Sequence, residues 1–181
     1  MVRRIFSSRL AGLRSKRMCR AGAFAAVLLW ACGSADAVTI VALGASNTFG
    51  KGVARNQAYP AQLEAILRSK GRDVRVINAG VNGETTGAML SRIDRAVPNG
   101  TSVVILQPGG NDRRKGIEAE RAHNISQIES RLTARGIKVI MLENSMLRGL
   151  PHQPDGEHLT AEGYRMLAQS LAEQVASGLG K

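Results

Sequence analysis

Five residues in four separate segments have the chemistry that acyl transfer requires. Ser46 could act as a nucleophile on a turn between a strand and a helix, and His158 could act as its general base. Asp155, three residues earlier, could accept the Nδ1–H of that imidazole and fix its tautomer. The backbone N–H of Gly83 and the side-chain amide of Asn111 could donate hydrogen bonds to a developing oxyanion. Each of these assignments also has a structural alternative.

The glycine-rich segment 44–52 (GASNTFGKG) has a second interpretation as a phosphate-binding loop. Such a loop needs four residues between its two glycines and a hydroxyl-bearing residue after the lysine. Here five residues separate Gly44 from Gly50, and Gly52 follows Lys51. The sequence therefore favours a tight turn that presents Ser46, although a serine in a turn is structural more often than catalytic.

The segments around Gly83 and Asn111 can also be explained as ordinary turns. Gly83 fits a type II or type I′ turn that needs a positive φ angle. Asn111 fits an Asx-turn or a helix cap. We expect the neighbouring Asp112 to brace its loop rather than to react. The residues alone leave both alternatives open.

Asp155, Glu157 and His158 could instead ligate a cation. The only other histidine nearby is His152, and no cysteine follows position 32, so the usual partners of a zinc ligand are missing. We therefore predict no metal site, and catalysis by a serine nucleophile with a histidine base needs no cofactor. We expect His152 and His123 to face solvent, the latter on a polar helix.

The elements that must position these residues follow a β/α pattern. Apolar runs alternate with segments of helical periodicity, and the polar segments above follow the carboxyl ends of the apolar runs. The expected class is a three-layer α/β/α protein with a flavodoxin-like, doubly wound parallel sheet of four or five strands, whose ligand site lies at the carboxyl edge. The predicted strands are 38–43, 74–78, 102–107 and 137–142, and the predicted helices are 59–69, 86–97, 117–135 and 160–177.

Taken in order, the four segments resemble the SGNH hydrolases, also called GDSL-type esterases. The resemblance covers nearly all of residues 38–177 and implies a serine esterase or thioesterase, similar to the periplasmic thioesterase and lysophospholipase type but shorter. It implies a catalytic triad of Ser46, His158 and Asp155. It also implies an oxyanion hole made by the backbone N–H groups of Ser46 and Gly83 and the side chain of Asn111. The matching segments are GASNT at 44–48, NAGVNGET at 78–85, GGND at 109–112 and DGEHL at 155–159.

Two departures from the family leave a second functional class open. Family members usually carry Asp at the position of Ala45, where the carboxylate is thought to brace the nucleophile turn. Only twelve residues, 143–154, separate the last predicted strand from Asp155, which predicts a short sheet and an open acyl site. The alternative is a weakened or inactive protein that binds acyl chains or glycans on the same scaffold.

The amino terminus has the pattern of a secretory signal peptide. Seven of the 25 basic residues lie in the first twenty positions and precede an apolar run of 12 residues at 21–32, which is too short to span a bilayer. Cleavage after Ala37 would leave a single SGNH hydrolase-like domain, residues 38–181, in the periplasm or secreted. Cleavage would remove the basic residues of the leader and so lower the net charge of +11, which weakens a nucleic-acid interpretation. Translation could begin at Met1 or Met18.

The substrate class is the least determined property. A small-molecule or lipid ester is expected, with no nucleic acid partner and no membrane span after signal cleavage. Only three aromatic residues follow position 37, which disfavours a stacked-ring carbohydrate platform. Five apolar residues could line a flexible acyl groove, namely Met89, Leu90, Met146, Leu147 and Leu150. No oligomeric state is predicted.

Overall fold

The structure, a computed structural model, describes residues 37–179. The predicted secretory leader lies outside these residues apart from Ala37. Within the described part, four strands and seven α-helices alternate along the chain. The strands are β1 (Val38–Gly44), β2 (Val74–Gly80), β3 (Thr101–Gln107) and β4 (Lys138–Met141). The helices are α1 (Ser46–Phe49), α2 (Tyr59–Ser69), α3 (Thr86–Ser91), α4 (Ile93–Ala96), α5 (Asn111–Arg114), α6 (Glu118–Ala134) and α7 (Ala161–Gly178).

All four strands are parallel and are arranged in the order β2-β1-β3-β4. This order agrees with the predicted flavodoxin-like α/β class, and the described residues form a sheet of four strands rather than five. β1 pairs on both sides, with Gly44 opposite Gly80 in β2 and opposite Gln107 in β3. The strand order reverses between β1 and β3, so the loops leaving these two strands flank the crevice where such folds bind ligands.

The sheet separates two apolar cores because alternate side chains of each strand point to opposite faces. Ile40 and Ala42 of β1 pack on the side of α2 and α7. Val41 and Leu43 pack on the side of α3 and α6. All four residues are fully buried, so β1 reads as the unbroken apolar run expected of a central parallel strand.

The helix predicted for 86–97 is wrong as a single element, because it is divided at Arg92 into α3 and α4. The guanidinium of Arg92 donates to both carboxylate oxygens of Glu84 and to the carbonyl of Ala79. These contacts tie Arg92 to the end of β2 and to the loop after it. The backbone there departs from helical geometry (φ −111°, ψ 6°) while Met89 and Ile93 stay buried on either side.

The segment between β4 and α7 holds the predicted acid and base. It begins with a 3₁₀ turn (Asn144–Leu147) and has a single antiparallel bridge between His152 and Leu159. Thr160 caps α7 as predicted, since its hydroxyl accepts a hydrogen bond from the backbone N–H of Gly163. None of the helices among residues 37–179 is long and apolar enough to cross a membrane.

Candidate active site

Ser46 is the first residue of α1 and follows the central strand after one residue, Ala45. Its side chain is nearly buried, with 8% of the residue exposed. The turn requires glycine at position 44 because an added Cβ would lie 2.2 Å from the Thr48 Oγ1 and 2.8 Å from the Gln107 carbonyl oxygen. The local sequence thus allows the chain to turn sharply and fixes the serine at the carboxyl edge of the sheet.

Ser46, His158 and Asp155 form a continuous row of hydrogen bonds. The His158 Nε2 lies 2.8 Å from the Ser46 Oγ, and the His158 Nδ1 lies 2.6 Å from the Asp155 Oδ2. The other carboxylate oxygen of Asp155 accepts the backbone N–H groups of Glu157 and His158, each at 3.0 Å. The short segment before α7 is therefore long enough to bring the imidazole to the serine.

Asp155 is held as a carboxylate by its neighbours. The backbone N–H of His158 is the largest influence that lowers the pKa of Asp155, followed by the imidazole of His158 and the backbone N–H of Glu157. All three donate to the ionised form. The side chain is 45% exposed, so water also solvates the charge. An ionised Asp155 can only accept hydrogen bonds, which favours the tautomer of His158 that carries its proton on Nδ1.

Asn47 fastens the segment that carries His158 to the nucleophile turn. Its Nδ2 donates to the Glu157 carbonyl at 3.0 Å, and its Oδ1 accepts from the Tyr164 hydroxyl at 3.0 Å and from the Leu159 N–H at 3.4 Å. Burial, with a smaller contribution from the charge of Asp155, raises the pKa of Tyr164 to about 12. The phenol therefore stays protonated and remains a donor.

Gln107 braces the nucleophile turn where Ala45 offers no polar side chain. Its Oε1 accepts from the backbone N–H of Ala45 at 3.2 Å and from the Thr48 hydroxyl at 3.3 Å. The Thr48 hydroxyl also lies 3.3 Å from the Tyr59 hydroxyl, and burial raises the pKa of that phenol. All these groups are buried. In this chain, which has Ala at position 45, the side chain of Gln107 at the end of β3 therefore holds the nucleophile turn.

The two predicted oxyanion donors besides Ser46 differ in their surroundings. Asn111 begins α5, is 4% exposed and lines the cavity beside Ser46. Its Nδ2 donates to the Glu84 carbonyl at 2.8 Å, which leaves the second N–H of the amide, and Arg114 donates to its Oδ1. Gly83 is exposed, has φ 71° in a turn closed between Glu84 and Val81, and does not line this cavity.

Asp112 braces its loop, which confirms the interpretation of this residue. It is fully buried, and both its carboxylate oxygens accept from the backbone N–H of Thr86 at 3.2 Å. The Thr86 hydroxyl also donates to it, and Asn124 donates to that hydroxyl. These hydrogen bonds therefore join the start of α3, after β2, to α5, after β3.

The cavity beside Ser46 has a volume of about 260 Å³, and most of its lining residues are polar or charged. Its apolar side chains are those of Ala45 and Leu147, so the predicted acyl groove is mostly wrong. Met89 and Leu90 pack in the core on the α3 and α6 side, whereas Met146 and Leu150 pack against the core on the opposite side. The lining residues come from segments 45–47, 107–114, 144–148 and 152–158.

Of the two other histidines, only His123 faces solvent as predicted. His152 is half-buried and lines the cavity, because its backbone pairs with Leu159 and its Nδ1 lies 2.6 Å from the Leu150 carbonyl. Among the described residues, no group of three or more His, Cys, Asp or Glu side chains is arranged to hold a metal ion. Glu157 instead forms an ion pair with Arg114.

Comparison with known proteins places this geometry in a family. Residues 42–178 match the family model described as "GDSL-like Lipase/Acylhydrolase family". The chain belongs to the GDSL-like lipase/acylhydrolase family. The match spans β1 to α7 and so includes every segment that lines the cavity.

Individual relatives of this GDSL-like chain are named as esterases. This chain is 31% identical to the Esterase TesA of Pseudomonas aeruginosa over 123 residues. Those residues cover 60% of that protein and 67% of this chain. It is 34% identical to the crystal structure of AlinE4, described as an SGNH-hydrolase family esterase, with a TM-score of 0.55 over 76% of this chain and 72% of that one. A psychrotrophic esterase EstA from Pseudoalteromonas sp., 15% identical, shares the fold with a TM-score of 0.69 over 79% of this chain and 99% of that one. The chain spans about 60% of the length of the curated TesA relative.

Several residues of this GDSL-like site were given no role in the sequence analysis. Gln107 ends a buried apolar strand, and a polar residue at that position is a signal that it faces a site. Asn47 sits directly beside the predicted nucleophile, but nothing in the sequence indicates its partners on the last loop. Arg113, Arg114 and Arg148 line the cavity, and only their position in loops after β3 and β4 could have pointed to them.

Proposed function

We propose that this chain hydrolyses carboxylic esters through an acyl-enzyme formed on Ser46. The observation that carries the proposal is the row of hydrogen bonds from Ser46 to His158 to Asp155 at 2.8 Å and 2.6 Å. This arrangement is what a weakly acidic alcohol needs to become a nucleophile near neutral pH. Membership of an acylhydrolase family and the esterase names of its relatives support the same reaction.

In the first half of the reaction, the Ser46 Oγ attacks the ester carbonyl while its proton passes to the His158 Nε2. The carbonyl electrons move to the oxygen. The Ser46 N–H and the free amide N–H of Asn111, both at the cavity, are proposed to stabilise that oxyanion. The Gly83 N–H is proposed as a third donor from the neighbouring turn, which Asn111 contacts through the Glu84 carbonyl. The intermediate then collapses, the bond to the alcohol oxygen breaks, and His158 donates its proton to the leaving alcohol. Asp155 stabilises the imidazolium throughout.

In the second half, water replaces the alcohol. His158 accepts a proton from the water while the water oxygen attacks the acyl carbon. The proton then passes from His158 to the Ser46 Oγ when the bond between that oxygen and the acyl carbon breaks. The products are a carboxylic acid and the regenerated serine. The same steps serve an oxygen ester or a thioester.

The cavity favours small acyl groups over long lipid chains. Its volume of about 260 Å³ is below the roughly 300–1,000 Å³ of sites for drug-sized ligands. Its walls also contain few apolar side chains. We therefore propose short-chain, polar esters as substrates.

The chain is further proposed to act outside the cytoplasm as a single domain. Residues 1–37 would be the secretory leader and residues 38–181 the SGNH hydrolase-like domain in the periplasm or secreted. The basic and apolar pattern of the first 32 residues supports the leader. Amino-terminal sequencing of the exported protein should begin at Val38.

Covalent labelling with a fluorescent organophosphonate tests the proposed hydrolysis. Wild-type protein should be labelled at Ser46 and should hydrolyse p-nitrophenyl acetate, whereas Ser46→Ala should do neither. Ser126→Ala is the matched control because Ser126 is exposed on α6, and it should behave as wild type. A folded wild-type preparation that neither takes up label nor releases p-nitrophenol would instead support the binding-protein alternative.

A further inference from the structure

We propose that the ester carries a negative charge and that Arg113 and Arg148 bind it, an inference that rests on the proposed hydrolysis. Three arginines line the cavity beside Ser46, and Glu157 supplies the only carboxylate among its described lining residues. The three arginine charges exceed the single negative charge of Glu157, so the cavity wall carries a net positive charge. The substrate feature in question is a carboxylate or similar anion on either side of the ester bond.

The three arginines differ in what they contact. Arg114 is engaged, since it forms an ion pair with Glu157 at 2.7 Å and donates to the Asn111 Oδ1. Arg113 and Arg148 have neither a hydrogen bond from the side chain nor an ion pair with any residue in 37–179. The other nearby acid, Asp155, is occupied by His158. Two guanidinium groups at the cavity thus have donors available for a ligand.

Arg113 and Arg148 reach the same cavity from different segments of the chain. Arg113 lies in α5, two residues after Asn111, and Arg148 follows the 3₁₀ turn after β4. Both segments follow the carboxyl ends of strands, as does the turn that holds Ser46. A guanidinium binds a carboxylate or phosphate through paired N–H donors, which is the geometry that distinguishes arginine from lysine at anion sites.

The size and polarity of the cavity strengthen this assignment. A cleft that concentrates one sign of charge raises the local concentration of ligands of the opposite sign. Because the cavity holds about 260 Å³, a charged group on a bound ester stays within a few bonds of the reacting carbonyl. Only two lining side chains, Ala45 and Leu147, are apolar, so a neutral alkyl chain finds few apolar side chains to pack against. Charge is therefore the feature that this site can recognise.

Two pairs of esters separate charge from size. Methyl hydrogen succinate and methyl butyrate differ by a carboxylate in place of a methyl group on the acyl side. Acetoxyacetate and ethyl acetate differ in the same way on the alcohol side. Acid release in a pH-stat gives kcat/KM for each ester, and the ratio of anionic to neutral ester within a pair measures the preference.

We expect wild type to prefer the anionic ester of at least one pair by about tenfold, as two partly exposed charge pairs would give. Arg113→Gln/Arg148→Gln should bring that ratio close to one, and added salt should reduce it in wild type. The matched control is Arg95→Gln/Arg131→Gln, which removes the same charge from exposed residues outside the cavity and should keep the ratio.

The outcomes distinguish this inference from the function on which it rests. If the neutral esters are hydrolysed but neither pair shows a preference, or the preference survives in the Arg113/Arg148 variant, the inference is overturned while the hydrolase stands. If none of the four esters is hydrolysed and Ser46 takes up no phosphonate, the proposed function fails and the inference fails with it.

Discussion

The His158 Nε2 lies 2.8 Å from the Ser46 Oγ, although 112 positions separate the two residues in the chain. Ser46 is fixed by the central strand of the sheet, whereas His158 belongs to the irregular segment before α7. The contact therefore depends on what joins that segment to the nucleophile turn. Asn47 and Gln153 make those connections, the latter by donating to the carbonyls of Lys51 and Leu159.

Asn47→Ala should reduce both activity and stability. The change removes the acceptor of the buried Tyr164 hydroxyl and the donor to the Glu157 carbonyl. Leaving a buried polar group unsatisfied costs about 1–3 kcal/mol, and a displaced His158 should lower kcat by about tenfold or more. Urea unfolding and the rate of phosphonate labelling measure the two effects. Asn99→Ala, at an exposed turn, is the control, and equal behaviour of the two variants would contradict this role of Asn47.

Gln107→Ala tests whether β3 braces the nucleophile turn. The variant removes the acceptor shared by the Ala45 N–H and the Thr48 hydroxyl, both of which are buried. We expect a loss of about 1–3 kcal/mol in the free energy of unfolding and slower labelling of Ser46. Gln127→Ala, exposed on α6, should change neither quantity. Unchanged labelling in Gln107→Ala would show that the turn needs no brace from this side chain.

Asn111→Asp tests the proposed oxyanion donor with little change in shape. The aspartate has no N–H to donate, and loss of one oxyanion donor typically lowers kcat by about 10²- to 10³-fold. KM should change much less, because the interaction forms mainly in the transition state. Steady-state kinetics on p-nitrophenyl acetate give both constants. A fall in kcat of less than about fivefold would remove Asn111 from the oxyanion hole.

Asp155→Asn should show a stability difference from wild type that depends on pH. The folded-state pKa of Asp155 is lowered, so its carboxylate stabilises the fold above the unfolded pKa of about 3.9. The difference in free energy of unfolding between wild type and Asp155→Asn should be constant at neutral pH. It should shrink as the pH falls through the lower folded-state pKa of Asp155. Urea unfolding of both proteins over an acidic pH series measures it, and Asp94→Asn, at an exposed carboxylate, is the control.

Activity of the same variant gives a second readout. Loss of the carboxylate that orients the imidazole should lower kcat by about 10⁴-fold. A difference in stability that grows towards acid pH, or full activity in Asp155→Asn, would contradict the role assigned to this residue.

Much of the fold follows directly from the sequence because its determinants are local. The apolar run 38–43 and the glycine after it indicate a covered strand ending in a turn. The strand pairs on both sides in the structure. Thr160 and the apolar spacing that follows it predict α7, and the structure confirms both the cap and the buried face. In a parallel sheet, the carboxyl ends then bring the four polar segments to one edge.

Other features depend on tertiary contacts and could not be read in advance. The helical pattern of 86–97 is continuous in sequence, but the partners of Arg92, where the helix breaks, lie at the end of β2 and in the loop after it. His152 looks like a loop residue until the bridge to Leu159 turns it towards the cavity. Met89 has the properties of a groove residue and of a core residue, and only packing against the sheet decides between them.

The difference in anchoring between β1 and the segment before α7 means that heat should inactivate the protein in two separate steps. Weakly held surface segments open at lower free energy than a central strand. Once the bonds through Asn47 and Gln153 open, the imidazole leaves the alcohol while the sheet is still intact. Ester hydrolysis should then be lost several degrees below the loss of far-UV circular dichroism and should return on cooling. Coincident transitions would show that the segment with His158 and the strand before Ser46 unfold together.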